Sequence, residues 1–190
     1  MEDIQAEVHK AYEIIKNGGI ILYPTDTVWG IGCDANNPEA VKKIYSLKQR
    51  AESKSMIVLV NGDRLLHRVF NEIPEVAWDI LDYSDKPTTL VLDNPRYVAK
   101  EIISSDNALG VRIVTEPFCF KLIERMKSPL VSTSANISGQ PSPQNFKEIS
   151  KEIIDGVDYV VNLRQTEIKP VKPSTVIKLT ANSQVTILRK

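Results

Sequence analysis

Apolar residues recur at helical spacing from the start of the chain. Ile4, Val8, Tyr12 and Ile15 fall on one stripe over residues 3–17, and Gly18 and Gly19 end it. The period then changes. Ile20 to Tyr23 is a continuous apolar run of strand length, stopped by Pro24. Asn37, Pro38 and Glu39 supply a cap, an N1 proline and an early acid for a helix running through Ile44 and Leu47. Met56 to Val60 reads as a buried strand, and 63–70 and 74–83 as helices. Thr88 to Leu92 and Leu109 to Val114 read as strands, with a short helical piece near 97–103 between them. Glu116 to Lys127 predicts a helix, Leu130 and Val131 a short strand, and Gln144 to Ile154 a further helix. Val157 to Val161, Thr175 to Leu179 and Val185 to Leu188 close the chain as strands.

Helices and strands alternate without strict βα regularity, and several strands lie close enough for hairpins. The pattern predicts an α/β fold: a twisted mixed sheet flanked by helices. Ser138 to Pro143 and Arg164 to Pro173 are the expected loops. Neither demands a boundary and no internal repeat is visible, so residues 1–190 read as a single domain.

Two polar segments interrupt this pattern. Behind the first strand, Pro24 leads into Thr25, Asp26 and Thr27, then into Gly30 and Gly32, glycines that let a backbone approach a ligand closely. Downstream, the stretch from Lys42 to Lys54 carries five basic residues against one acid, Glu52. A charge run of this kind is commonly a solvated helix face. Facing strand-end hydroxyls, the trio Lys48, Arg50 and Lys54 instead reads as a clamp for an anionic ligand, a nucleotide above all, in a pocket on a basic concave face. The second hydroxyl cluster, Ser132, Thr133 and Ser134 with Asn136, follows an apolar strand, the end at which α/β proteins place ligands. Arg112 lies inside the apolar strand Leu109 to Val114. A buried arginine needs a partner: either a structural ion pair or a ligand carboxylate held in bidentate geometry.

Composition narrows the chemistry. Acids and bases balance at 24 each, which gives no support to a nucleic-acid-coating role. Cys33 and Cys119 are far apart, fit no metal spacing, and read as small buried hydrophobes in a reducing cytosol. No apolar run approaches the ~20 residues of a membrane span, so a cytoplasmic protein is expected. The chain has no phosphate-loop signature, no dinucleotide fingerprint and no Gly-x-Ser-x-Gly elbow. Its only histidines, His9 and His67, fall among charged residues on expected helices, which argues against a histidine triad or a metal centre. Chemistry here must run on positioning and electrostatics.

Taken together, these residues resemble the YrdC-like family of L-threonylcarbamoyladenylate synthases, in its short form. The resemblance rests on Tyr23 to Gly30, on Ile44, Lys48 and Arg50, on Gly110 to Ile113, on Leu130 to Gly139, on Pro173 to Val176 and on Ile187 to Arg189, in the family's order. It implies a nucleotidyltransferase that joins L-threonine, bicarbonate and ATP into threonylcarbamoyl-AMP and pyrophosphate, with Mg²⁺ accompanying ATP. A partner transferase then uses the product on tRNA. By matching positions, Thr27, Arg112, Ser132 and Ser174 are expected on the threonine and carbamate side. Lys48, Arg50, Lys54, Ser134, Ser142 and Arg189 are expected on the nucleotide side, with Lys48 and Arg50 in the catalytic role.

The chain departs from the family's usual pattern at Ala51, at Ser55 and Met56, at Pro87 to Thr89, at Val114 and Thr115, and at Trp29. Leu59 stands where the family often has a histidine. Two other roles compete: a non-enzymatic RNA-binding module using the Lys42 to Lys54 segment, and a module acting on another carbamoyl adenylate.

Overall fold

A computed structural model of the chain describes residues 3–49, 56–168, 172–180, 182 and 184–190. Helix α1 (Ile4–Lys16) starts where the Asp3 carboxylate accepts the Gln5 and Ala6 amides, at 3.0 and 3.1 Å. It ends at Gly18, whose φ of +78° only glycine adopts without strain. Strands β1 (Ile21–Tyr23) and β2 (Gly30–Gly32) form an antiparallel hairpin around the Pro24 to Trp29 loop. Helix α2 (Pro38–Leu47) has the expected asparagine cap, Asn37 Oδ1 accepting from Glu39 and Ala40. Strand β3 (Ile57–Val60), helices α3 (Asp63–Val69) and α4 (Glu75–Asp82), strand β4 (Thr88–Asp93) and strand β5 (Ala108–Ile113) follow. Then come α5 (Pro117–Met126), β6 (Leu130–Ser134), α6 (Lys151–Gly156), β7 (Tyr159–Val160), β8 (Thr175–Leu179) and β9 (Val185–Arg189).

The strands form one mixed sheet in the order β7-β1-β2-β6-β3-β5-β4-β8-β9. Pairs β1/β7, β3/β5 and β4/β8 are parallel and the other neighbours antiparallel, so the expected mixed α/β sheet is present. Register separates its two faces. Ile57, Gly110 and Ser132 lie side by side across β3, β5 and β6, while Val58, Val111 and Val131 point the other way into the core. Helices α1 and α5 pack on each other, α1 against β1 and α5 against β3. They bury Val8, Ala11 and Ile15 from one and Phe118, Leu122 and Ile123 from the other.

Three expectations change. Gly30 and Gly32 belong to a strand and not to a loop; Gly30 still faces the cavity, whereas Gly32 serves packing: a Cβ there would lie 2.2 Å from the Val131 carbonyl and 2.8 Å from the Tyr23 ring. The 130–131 strand extends to Ser134, because β2 and β3 pair with it from both sides. The single helix expected over 144–154 is split. Asn145 Oδ1 takes the Lys147 amide and sets a 3₁₀ turn at Phe146–Glu148, Ile149 returns to extended backbone, and α6 begins at Lys151. Both histidines are exposed and both cysteines buried, as expected, with burial pushing each thiol well above its ordinary pKa.

Glu7 is the one buried acid of α1, at 4% exposure. Its carboxylate accepts from the Tyr159 hydroxyl at 2.6 Å, the Asn162 amide at 2.7 Å and Lys10 at 2.9 Å, tying the helix to β7. Burial raises its pKa, but those three donors outweigh burial and hold it below the usual carboxylate value.

Two outcomes are expected. Gly32→Ala forces β2 and β6 apart and costs about 1–3 kcal/mol, read as a lower denaturation midpoint. Because the folded-state pKa of Glu7 is depressed, its contribution is complete at neutral pH and is lost as pH falls through that value. The gap in melting temperature between the wild type and Glu7→Gln is therefore widest near pH 7 and closes in acid.

Candidate active site

The cavity lies on the sheet face opposite α1 and α5, between the β1–β2 loop and the β8–β9 hairpin. Thr27, Arg112, Ser132, Ser134, Ser142, Ser174 and Arg189, drawn from six separate segments, line it together. Trp29 closes one side, its ring 4.9 Å from that of Phe146, and Thr89 and Gly110 lie on the floor strands. Gly110 keeps that floor low: a Cβ would lie 2.7 Å from Ile57 and 3.4 Å from Thr89.

Arg112 is 4% exposed, and of the two readings of its strand position the structure shows the ion pair. Its Nη2 donates to Asp26 Oδ1 at 2.8 Å and to Thr27 Oγ1 at 3.3 Å, a structural ion pair. Its Nε, buried as well, has no partner. Arg189 reaches in from β9, donating Nε to the Ser174 carbonyl at 2.9 Å and Nη2 to the Ser174 hydroxyl at 3.3 Å. Ser174 Oγ in turn lies 2.8 Å from Thr89 Oγ1. Burial, and then the Arg112 guanidinium, lower the pKa of Arg189. Two guanidiniums oppose each other's charge across a hydroxyl-lined cavity, a repulsion that an anion placed between them would remove.

The expected cationic clamp divides. Lys48 does not line the cavity. It is 1% exposed at the end of α2, and its ammonium donates to the Asn136 carbonyl at 2.6 Å and to the Ser134 carbonyl. The Lys48 carbonyl accepts the Ser138 amide at 2.8 Å, so the hydroxyl-bearing end of β6 is fastened to α2 in both directions. Arg50 and Lys54 lie outside the described residues, as do Ala51 and Ser55. Elsewhere in the basic stretch, Lys42 pairs with Glu39 at 2.9 Å and Lys43 donates to the Gly18 carbonyl. Leu59 is fully buried, in register with Arg112 on the neighbouring strand, and Met56 and Trp29 line the cavity.

Sequence reading gave no role to Asp26, Thr89 or Arg164. Arg164 donates to the Thr25 carbonyl at 3.0 Å and lies 3.7 Å from Glu116, holding the β1–β2 loop from behind. Its local partner, Glu167 at 3.0 Å, could be read from spacing, but the contacts that brace the loop are remote in the chain. For Thr89 the signal was a hydroxyl within an apolar strand run. The described lining carries hydroxyls but no carboxylate, and no three His, Cys, Asp or Glu side chains cluster for a metal among the described residues. No helix among them is long and apolar enough to cross a membrane.

A family model for Sua5/YciO/YrdC, described as telomere recombination, matches residues 13–190. The chain belongs to this family. It is 34% identical to a Methanocaldococcus jannaschii protein provisionally named a threonylcarbamoyl-AMP synthase, over 96% of this chain and 87% of the other. It is 31% identical to the threonylcarbamoyl-AMP synthase of Pyrococcus abyssi, over 92% of this chain but 51% of that protein. The solved structure of P. abyssi Sua5 complexed with L-threonine superposes with a TM-score of 0.79 at 29% identity, over 90% of this chain and 50% of that one. The chain thus spans about half the length of the P. abyssi protein.

Lys48→Met tests the buried ammonium. It keeps much of the side-chain volume but strands two carbonyls, and is expected to cost roughly 2–4 kcal/mol. Thermal denaturation should show a loss on the order of 5–10 °C; an unchanged midpoint contradicts the fastening role.

Proposed function

We propose that the protein is a threonylcarbamoyl-AMP synthase: it converts L-threonine, bicarbonate and ATP into threonylcarbamoyl-AMP and pyrophosphate in the cytoplasm, for a transferase that modifies tRNA. The observation that carries the reading is the convergence of Thr27, Arg112, Ser132 and Ser174 with Ser134, Ser142 and Arg189 on one cavity. The named relatives and the fold shared with a threonine-bound Sua5 support it.

Threonine's amine condenses with bicarbonate to a carbamate, releasing water. A carbamate oxygen then attacks the α-phosphorus of ATP, the bond to the β-phosphate oxygen breaks, and pyrophosphate leaves. The nucleophile is already an anion, so alignment and charge neutralisation suffice. Arg112 offers its unpartnered Nε to a carboxylate beside the hydroxyls of Thr27 and Ser132. Ser134, Ser142 and Arg189 serve the nucleotide, together with Arg50 and Lys54. Lys48 serves the same end by holding the Ser134 to Asn136 backbone. The described lining has no carboxylate cage for Mg²⁺, so the cation is assigned to the phosphates of ATP, where it supplies charge neutralisation.

Protein incubated with ATP, Mg²⁺, bicarbonate and L-threonine should release pyrophosphate and form an adenylate. Release that is unchanged when bicarbonate is omitted, or when glycine replaces threonine, overturns the proposal. Arg50→Ala should weaken ATP binding by about 1.5–3 kcal/mol, read by calorimetry. Wild-type ATP affinity in that variant would remove Arg50 from the nucleotide site.

A further inference from the structure

Asp26 is the one carboxylate in the β1–β2 loop, and the reaction above gives it nothing to do. It forms no part of the described cavity lining. It borders a smaller cleft on the other side of the loop, with Arg164, Glu167 and Asn145, and reaches Arg112 from that side. The loop behind it is tightly held. The Thr25 hydroxyl donates to the Val28 carbonyl at 2.7 Å and accepts the Thr27 amide at 3.0 Å, while the Thr25 carbonyl is held by Arg164. The carboxylate therefore stands on a braced backbone at 20% side-chain exposure, 2.8 Å from a guanidinium at 4%.

We infer that Asp26 is a positioning residue for recognition of the amino-acid substrate, acting through Arg112. This rests on the threonylcarbamoyl-AMP synthase reading. A guanidinium is planar, so fixing Nη2 between Asp26 and Thr27 sets the direction in which its remaining donors point. The buried Nε, left without a partner, is the donor that a substrate carboxylate can satisfy. Asp26 also offsets one of the two mutually repelling charges, Arg112 and Arg189. Without that anchor the fork is free to turn toward solvent or toward the substrate's other anionic groups, and its selectivity for the carboxylate falls. Nucleotide binding, which draws on Ser134, Ser142 and Arg189, does not pass through this contact.

Steady-state kinetics on the full chain test the inference, with melting temperatures recorded beside them. Asp26→Ala should raise the KM for L-threonine about tenfold and leave the KM for ATP within about twofold. Asp26→Asn keeps an acceptor on the same backbone and should recover most of the loss. Because Asp26 acts through Arg112, adding Asp26→Ala to Arg112→Ala should raise the threonine KM no further. An unchanged threonine KM in an active Asp26→Ala enzyme overturns the role. So does a parallel loss for ATP and threonine with a lowered melting temperature, or full additivity in the double variant. If Asp26→Ala does not fold, Asp26→Ser, which withdraws the acceptor from Arg112 but keeps a polar side chain, carries the same comparison, a threonine KM raised with the ATP KM unchanged. A wild type that releases no threonine-dependent pyrophosphate overturns the proposed function itself, and this role with it; an active wild type confines any failure to Asp26.

Discussion

The ammonium of Lys48 lies at 1% exposure, with protons given to the backbone carbonyls of Ser134 and Asn136. Moving a cation of this kind out of water costs several kcal/mol, recovered only where fixed dipoles meet it in good geometry. That requirement binds two elements remote in sequence, the C-terminal end of α2 and the outgoing end of β6. The Ser138 amide, donating to the Lys48 carbonyl, closes the same junction from the other side. Ser132 and Ser134 can present hydroxyls to the cavity because the backbone that carries them is fixed by a charge beneath it.

The opposite wall of the cavity follows the same logic with a carboxylate and a hydroxyl in place of carbonyls. There the buried cation, Arg112, belongs to a sheet strand, and a loop comes to it: Asp26 and Thr27 close on its Nη2. Arg164 braces that loop from outside, and Glu116, which also caps α5 through the Cys119 amide at 2.8 Å, stands next to Arg164. The loop's position is thus set by charges on three elements, and hydrophobic contact contributes mainly through Trp29. A wall held by directional polar contacts can be exact in geometry while remaining thin, with one cavity in front of it and a second cleft behind.

Much of this was legible in the chain, for physical reasons that differ by element. The helices α1, α2 and α5 carry an apolar stripe with caps or glycine stops, and each appears within a residue or two of where that pattern puts it. The core strands β3 and β5 are continuous apolar runs and were as plain. β2 was not. Gly-Ile-Gly has low strand propensity, and it pairs because Gly32 lets the Val131 backbone come close, a contact invisible in local sequence. The hydroxyl clusters and Arg112 stood out by chemistry, as polar groups where apolar neighbours were expected. What sequence could not separate was the direction in which a cation points. Lys48 was marked for the ligand by its company, yet a lysine after a helix can turn inward to carbonyls as readily as outward, and only the fold around it decides. Asp26 reaches Arg112, and Arg164 reaches Thr25 and Glu116, across the chain, so those partners could not be read from spacing.

These two buried cations bear on what kind of enzyme this can be. The described lining of the cavity has serine and threonine hydroxyls and two guanidiniums, with no histidine or carboxylate among them. Groups of this kind are suited to holding anions and orienting them. They suit a reaction whose nucleophile arrives already charged, and a carbamate is such a nucleophile. The rigidity invested in Lys48 and Arg112 then has a direct chemical meaning. Where no proton transfer lowers the barrier, acceleration must come from alignment and from preorganised charge, and both degrade with small displacements of the groups involved. Burying the cations that fix the cavity's walls excludes water from those anchors and keeps them from relaxing when the ligand's charge arrives.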